Sequence, residues 1–220
     1  MNSNRKIAII VGVLILTALV SSLLSGVFSE SIDSSDYLTA VSANENQVLI
    51  GVLFQLTLTA SVVAIPLLMF PILKKHNESL GLGYVVARIF EGFFDAVIAI
   101  SMLLLLTLSR EFVNAVAPAV SYFQTSGALL IALRDWSSVP ENFPYGLGAL
   151  VLNYLLYKSK LIPRWLSVWG LIGAALMLAT GVIRLFDPSL IYGAFPIFVN
   201  EMVLAIWLIV KGFNSSEITS

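Results

Sequence analysis

Cysteine is absent from this 220-residue sequence, and histidine occurs only once, at His76. The lack of cysteine excludes disulfides, thiolate metal sites and cysteine nucleophiles. One histidine cannot form a multi-histidine metal site, and His76 lies in a short hydrophilic stretch where we expect it to be solvated. We therefore expect neither a metal site nor a cofactor, and the sequence assigns no catalytic residue.

Charge is also scarce: 11% of the residues are charged, whereas 58% are hydrophobic, and the mean hydropathy is +0.93. Soluble domains carry about 25% charged residues. This deficit, together with long uncharged runs, indicates an integral membrane protein whose main partner is the lipid bilayer. The net charge of −1 and the absence of a basic block make nucleic acid an unexpected partner, and the sequence leaves the oligomeric state open.

Common catalytic motifs are missing as well. The glycine pairs at 81–83 and 146–148 lack the third glycine and the strand of a phosphate-binding loop. No helix carries the His-Glu zinc motif, and no serine stands in a Gly-x-Ser-x-Gly setting. An enzyme is therefore disfavoured, because it would have to work within the membrane with carboxylates, arginine and tyrosine alone.

Six apolar stretches predict an all-α, six-span bundle that forms a single domain. They cover residues 7–28, 47–73, 81–109, 143–157, 165–186 and 195–210. The first exceeds the ~7–15-residue apolar core of a signal peptide, so we interpret it as a retained span, although cleavage within 21–25 stays an alternative. Pro66 and Pro71 are expected to kink the second span or to end it.

The segment 110–142 is ambiguous, because its middle is apolar but ends in the polar, turn-forming stretch RDWSSVPENFP. If it stays outside, eight Lys and Arg residues flank the inner side and three the outer side; if it crosses, the split is six to five. The positive-inside rule favours the first arrangement. We therefore expect one or two outer interfacial or re-entrant helices that cover the bundle, and a multi-pass cell-membrane protein with both termini in the cytoplasm.

The third stretch carries charges within its apolar sequence. Arg88, Glu91 and Asp95 are spaced by three and four residues and share one helix face with Tyr84. Each charge facing lipid costs at least ~2.5–3.5 kcal/mol, so this face should point into the bundle. The alternative is that Arg88 extends to the inner surface and pairs with nothing.

The last stretch contributes Glu201 at a matching depth. Counted at ~1.5 Å per residue, Glu91 lies about 15 Å from Gly81 and Glu201 about 15 Å from Lys211, so Arg88 could bridge both carboxylates. Asn153 and Asn200 add amides that either pack helices together or join this polar centre. With Asp95 included, the carboxylates outnumber the arginine, so the centre could be structural, bind a small ligand or lipid, or hold a proton or cation.

A second polar group is expected at the outer side. Arg134, Asp135 and Trp136 precede the fourth span, and Arg184 ends the fifth. We interpret them as an outer cluster beneath the 110–142 segment, with ordinary surface ion pairs as the alternative.

Two motifs carry a family resemblance. One is Leu-Ile-Pro-Arg-Trp-Leu at 161–166, and the other is Glu-Met-Val-Leu-Ala at 201–205, which Trp-Leu and Lys-Gly-Phe follow. With the Arg88–Glu91 pair and Asp135-Trp136, they make the chain resemble the uncharacterised prokaryotic multi-pass membrane family called domain of unknown function 4386. The resemblance implies a bacterial integral membrane protein and assigns no activity to any residue.

Three functions follow as hypotheses. The first is a membrane protein whose buried Arg/Glu centre is structural or binds a small ligand or lipid. The second is a proton- or cation-coupled carrier that uses Glu91, Asp95 and Glu201. The third and weakest is a lipid-modifying enzyme at the outer interface.

Overall fold

The computed structural model describes residues 3–114, 120–187 and 194–214, and within them every regular element is helical. The all-α prediction is therefore confirmed. The helices are α1 (Ser3–Phe28), a 3-10 helix (Glu30–Asp33), α2 (Tyr37–Ala43), α3 (Glu45–Leu73), α4 (Glu78–Phe112), α5 (Val120–Ser159), α6 (Arg164–Arg184) and α7 (Phe195–Val210).

Four helices of the described residues are long and apolar enough to cross a membrane: Asn4–Phe28, Glu45–Leu73, Glu78–Phe112 and Arg164–Arg184. The helix α7 is apolar but has only 16 residues, and the expected fourth span is the second half of α5. Membrane association therefore rests on four helices, and the six-span arrangement stays a prediction.

The six longer helices form a closed ring in the order α1, α3, α4, α5, α6 and α7, with α7 packed again on α1. At one end of the ring, Arg5 of α1 donates to the backbone oxygens of Leu208 (3.0 Å), Ile209 (2.6 Å) and Val210 (3.1 Å). These are carbonyls that the end of a helix leaves unpaired. We call this the basic end, because Lys74 and Lys158 are at the ends of α3 and α5 that lie on this side of the ring. The opposite end, where α2 packs on α4, is the α2 end.

The helix α5 differs from the sequence-based expectation, because it is one continuous helix of 40 residues. The polar stretch 134–144 was expected to form turns, yet it is helical, with Pro140 and Pro144 inside the helix. Ser137 donates to the Leu133 oxygen (2.6 Å), and Asn142 donates to the Ser138 oxygen (3.0 Å), so polar side chains bond to their own helix. Residues 115–119, in the expected outer segment, lie outside the described residues.

The two prolines of α3 do not interrupt it either. The helix runs through Pro66 and ends at Leu73, two residues after Pro71. The polar connection between α1 and α3 contains the short helix α2.

Candidate binding cavity

Arg88 is buried inside the helical ring, where it meets carboxylates from two helices. Its Nη1 lies 3.0 Å from Glu91 Oε2 on the same helix and 3.9 Å from Glu201 Oε1 on α7. Its guanidinium also stacks 5.4 Å from the ring centre of Tyr145 on α5. The side chains of Arg88 and Glu91 are each 6% exposed, so this ion pair within α4 is shielded from solvent, whereas the side chain of Glu201 on α7 is 20% exposed.

A glycine on α5 makes room for the arginine. A Cβ added at Gly148 would lie 3.3 Å from Arg88 Cδ, which is tighter than ordinary van der Waals contact. The backbone of α5 therefore forms one wall along the arginine side chain, and a larger residue there would push the guanidinium away from Glu91.

Asp95, one turn beyond Glu91, is hydrogen-bonded to α3 rather than to Arg88. Its Oδ1 accepts from Gln55 Nε2 of α3 (2.9 Å), and Gln55 Oε1 accepts from Ser25 Oγ of α1 (3.2 Å). All three side chains are buried. This chain of hydrogen bonds leads from α4 through α3 to α1, on the side of the α2 end.

These side chains border a central cavity of about 160 Å³. All six helices of the ring contribute to its lining, which includes Ala18, Leu19, Ser22, Leu58, Val62, Arg88, Glu91, Asp95, Glu141, Tyr145, Met177, Phe198 and Glu201. Four of these residues are acidic and one is basic. Among the described residues, Arg88 is the only lysine or arginine with a nitrogen atom within 4.0 Å of an oxygen of any of these four carboxylates.

Glu141 belongs to the segment 110–142, which the sequence predicts to lie on the outer side of the bundle. It lines the central cavity, because α5 continues as a helix through Pro140 and Pro144. Tyr145 and Gln55 were also not identified as members of the polar centre. A signal was available for two of them: Glu141 and Tyr145 are four residues apart, so a helix through this stretch puts them on one face.

Tyr84, Asn153 and Asn200 lie on the basic-end side of Arg88. Together with Arg88 and Glu201 they line a small void of about 10 Å³. Asn153 donates to the Ala149 oxygen (2.9 Å) and Asn200 to the Leu166 oxygen (3.0 Å), while the Oδ1 atoms of both are buried without a hydrogen-bond partner among the described residues. The void is about the size that holds one water molecule.

The predicted outer cluster is divided between two places. Arg134 forms ion pairs with Asp33 and, through Nε at 2.9 Å, with Asp135. Burial disfavours the Arg134 cation, but its bonds to Asp33 and Asp135 outweigh this and raise its pKa. Arg184 instead donates to the oxygen (3.3 Å) and Oγ (2.9 Å) of Ser138. It shares with Asp135 and the half-exposed Trp136 a separate groove of about 530 Å³.

A further groove of about 270 Å³ connects the Arg134 ion pairs to the interior. Its lining includes Ser22, Ser25 and Ser29 of α1, together with Gln55, Asp33 and Arg134. Ser22 also lines the central cavity, and Gln55 is bonded to Asp95 there. The groove therefore leads from the α2 end to the carboxylates.

Comparison with known proteins gives a family model and a distant relative. The model described as "Domain of unknown function (DUF4386)" matches residues 10–212. An "Uncharacterized protein" from Archaeoglobus fulgidus is 34% identical over 83 residues, which is 34% of this chain and 46% of the relative. The alignment thus spans less than half the length of that relative. No solved structure matches.

Proposed function

This chain belongs to the DUF4386 family of unknown function, and on that premise we propose that it is a multi-pass membrane protein that binds a small polar ligand in its central cavity. The observation that carries the proposal is the cavity itself, which all six helices of the ring line with four carboxylates around one arginine. Its volume of about 160 Å³ is similar to that of an engineered cavity of about 150 Å³ that binds benzene.

The proposed topology has six spans with the basic end in the cytoplasm. At ~1.5 Å per residue, α7 measures about 24 Å, which is short for a hydrocarbon core of ~30 Å, but Lys211 can extend toward the headgroups. The cations at the basic end support this orientation through the positive-inside rule. On this topology the central cavity lies at membrane depth, and the α2 end faces the outside.

Binding is favoured over a purely structural role because two of the carboxylates do not contact the arginine. A structural centre needs charges that satisfy each other, as Arg88 and Glu91 do at 3.0 Å. Asp95 and Glu141 border the same cavity without a cation within 4.0 Å in the described residues. Their cost of burial is accounted for if a ligand compensates it.

Native mass spectrometry of the protein, released gently from detergent, tests the proposal. We expect a small molecule that co-purifies with the wild type and with Glu45→Gln, a surface control, and that is lost from Glu201→Gln. If the wild type carries nothing, and Glu201→Gln lowers the melting temperature without any other effect, the centre is structural and the proposal is wrong.

The second candidate is a proton- or cation-coupled carrier, which the same excess of carboxylates favours. A carrier must open the cavity to both faces in turn. The expected result is a pH-dependent flux in proteoliposomes that Glu201→Gln abolishes and Glu45→Gln leaves intact. Ligand binding without flux would leave the binding protein as the function.

A further inference from the structure

Building on the proposed ligand cavity, we infer that its occupant is a small organic cation, an amine or a guanidinium, which enters from the α2 end. This inference names the class of ligand and the route of entry, neither of which the proposed function requires. It rests on three features: the charge of the lining, the distribution of the acids and the polar groove.

The charge of the lining selects a cation. Glu91, Asp95, Glu141 and Glu201 face a cavity to which, among the described residues, only Arg88 brings a positive side chain. Glu91 Oε2 is buried and lies 3.0 Å from Arg88 Nη1, so the arginine pairs with this oxygen of the carboxylate. An ionised carboxylate has about four lone-pair sites, so a buried carboxylate beside a cavity can accept a further N–H donor from a ligand.

The distribution of the acids favours an organic cation over a metal ion. A metal requires several oxygen ligands that converge to about 2.0–2.6 Å. In the part of the chain that the structure describes, no three acidic or histidine side chains come together as a metal site. The acids come instead from α4, α5 and α7, and they share the lining with apolar and aromatic side chains such as Leu58, Met177 and Phe198. This mixture fits an ammonium or guanidinium group with a short carbon skeleton.

The route of entry follows from the side chains that lie on the two sides of the cavity, toward the basic end and toward the α2 end. Toward the basic end, Tyr84, Ile65 and Leu204 belong to one buried apolar cluster, and each is at most 3% exposed. Toward the α2 end, the serine-lined groove reaches the cavity at Ser22 and carries Gln55 on its wall. A polar ligand can exchange its hydration for hydroxyls along the groove, whereas the apolar cluster offers none.

The mouth of the groove also suits a cation. Arg134 stands there, but Asp33 and Asp135 both pair with it, so the three side chains together carry one negative charge. An approaching cation therefore meets a weakly attractive entrance in spite of the arginine.

Binding of three probes of equal size tests the charge class. Benzylammonium, benzyl alcohol and benzoate are each titrated into the purified full chain, and binding is followed by calorimetry and by thermal shift. We expect benzylammonium alone to bind saturably, and its Kd to rise at least tenfold in Glu141→Gln and in Asp95→Asn. The matched control Glu45→Gln should bind it as the wild type does.

Each other result of this titration is decisive. Equal binding of benzyl alcohol, or preferred binding of benzoate, would overturn the cation assignment while leaving a ligand cavity in place. If none of the probes binds and nothing co-purifies with the protein, the proposed function itself fails. If Glu141→Gln does not fold, Asp95→Asn decides the charge question alone.

Single-cysteine labelling tests the route, because the chain contains no cysteine of its own. Three positions on α1 form a series: Ser25 in the groove, Ala18 in the cavity and Ala8 in the apolar cluster. A charged, membrane-impermeant methanethiosulfonate is added to one face of reconstituted vesicles at a time. We expect Ser25→Cys and Ala18→Cys to react from the α2-end face only, and Ala8→Cys to stay unreactive.

Protection by the ligand completes the labelling test. Benzylammonium should slow the labelling of Ala18→Cys at least threefold, since both compete for the same cavity. Reaction of Ala18→Cys from the basic-end face would overturn the route of entry but not the ligand class.

Discussion

Replacement of Arg88 with glutamine is predicted to be the most destabilising conservative change in the polar centre. The arginine side chain is 6% exposed, and it is the cation that contacts both Glu91 at 3.0 Å and Glu201 at 3.9 Å. Removing one partner of a buried ion pair costs about 3–5 kcal/mol, because the other charge stays buried without compensation. For a chain of this size, 1 kcal/mol shifts the melting temperature by about 2–4 °C, so Arg88→Gln should lower it by about 6–20 °C.

At Glu141 the balance of charge predicts the opposite effect on the melting temperature. This residue borders the cavity but has no arginine or lysine nitrogen within 4.0 Å in the described residues. Glu141→Gln removes a like charge from the group and should leave the melting temperature unchanged or raise it. In the double variant Arg88→Gln/Glu91→Gln, the closer of the two stranded carboxylates is gone and only Glu201 remains, so we expect at least half of the loss at Arg88 to be recovered.

Thermal unfolding in detergent, followed by the fluorescence of the four tryptophans, measures all three variants against the wild type. The reasoning is refuted if Arg88→Gln shifts the melting temperature by less than about 2 °C, which a loosely held surface arginine would do. It is equally refuted if Glu141→Gln destabilises as much as Arg88→Gln, because charge balance would then not govern the centre.

The remaining predictions concern helix packing and the surface. A Cβ added at Gly170 would lie 2.1 Å from Asn153 Oδ1. The variant Gly170→Ala should therefore destabilise the α5–α6 contact by about 1–3 kcal/mol. A Cβ added at Gly83 meets open space, so Gly83→Ala should be neutral or stabilising in the same melting experiment. Glu45 pairs with Arg110 at an exposed position, so Glu45→Gln should change the melting temperature by no more than about 1 °C, and 0.5 M salt should remove the difference.

The α4 face is the part of the site that the sequence predicts best. Arg88, Glu91 and Asp95 recur every three or four residues in an apolar stretch, and the cost of exposing such charges to lipid directs that face inward whatever surrounds it. Which helix supplies the partner is a different matter. Glu201 could be matched to Glu91 by depth alone, but contact required α7 to lie within reach of α4, and this follows from the closure of the ring.

Glu141 shows why the rest could not be predicted. The sequence Pro-Glu-Asn-Phe-Pro has the composition of a turn, and local preference alone assigns it to a loop. In the structure this stretch is helical because α5 packs along α4 and because Asn142 and Ser137 bond to carbonyls of their own helix. Tertiary packing overrides the local preference for a turn, so Glu141 lies in the wall of the cavity and not on the expected surface.

The uneven distribution of charge around the cavity is the strongest argument against a merely structural centre. One arginine and one glutamate would be enough to hold α4 in place, and a hydrophobic pair of similar volume would do so at no greater cost. The protein instead adds Asp95 toward the groove and Glu141 on the facing helix, where each increases the repulsion that the fold must absorb. Such a cost is reasonable only if something positive is bound there for part of the time. Because Gln55 on the wall of the serine groove donates a hydrogen bond to Asp95, whatever neutralises the acids should arrive by that route.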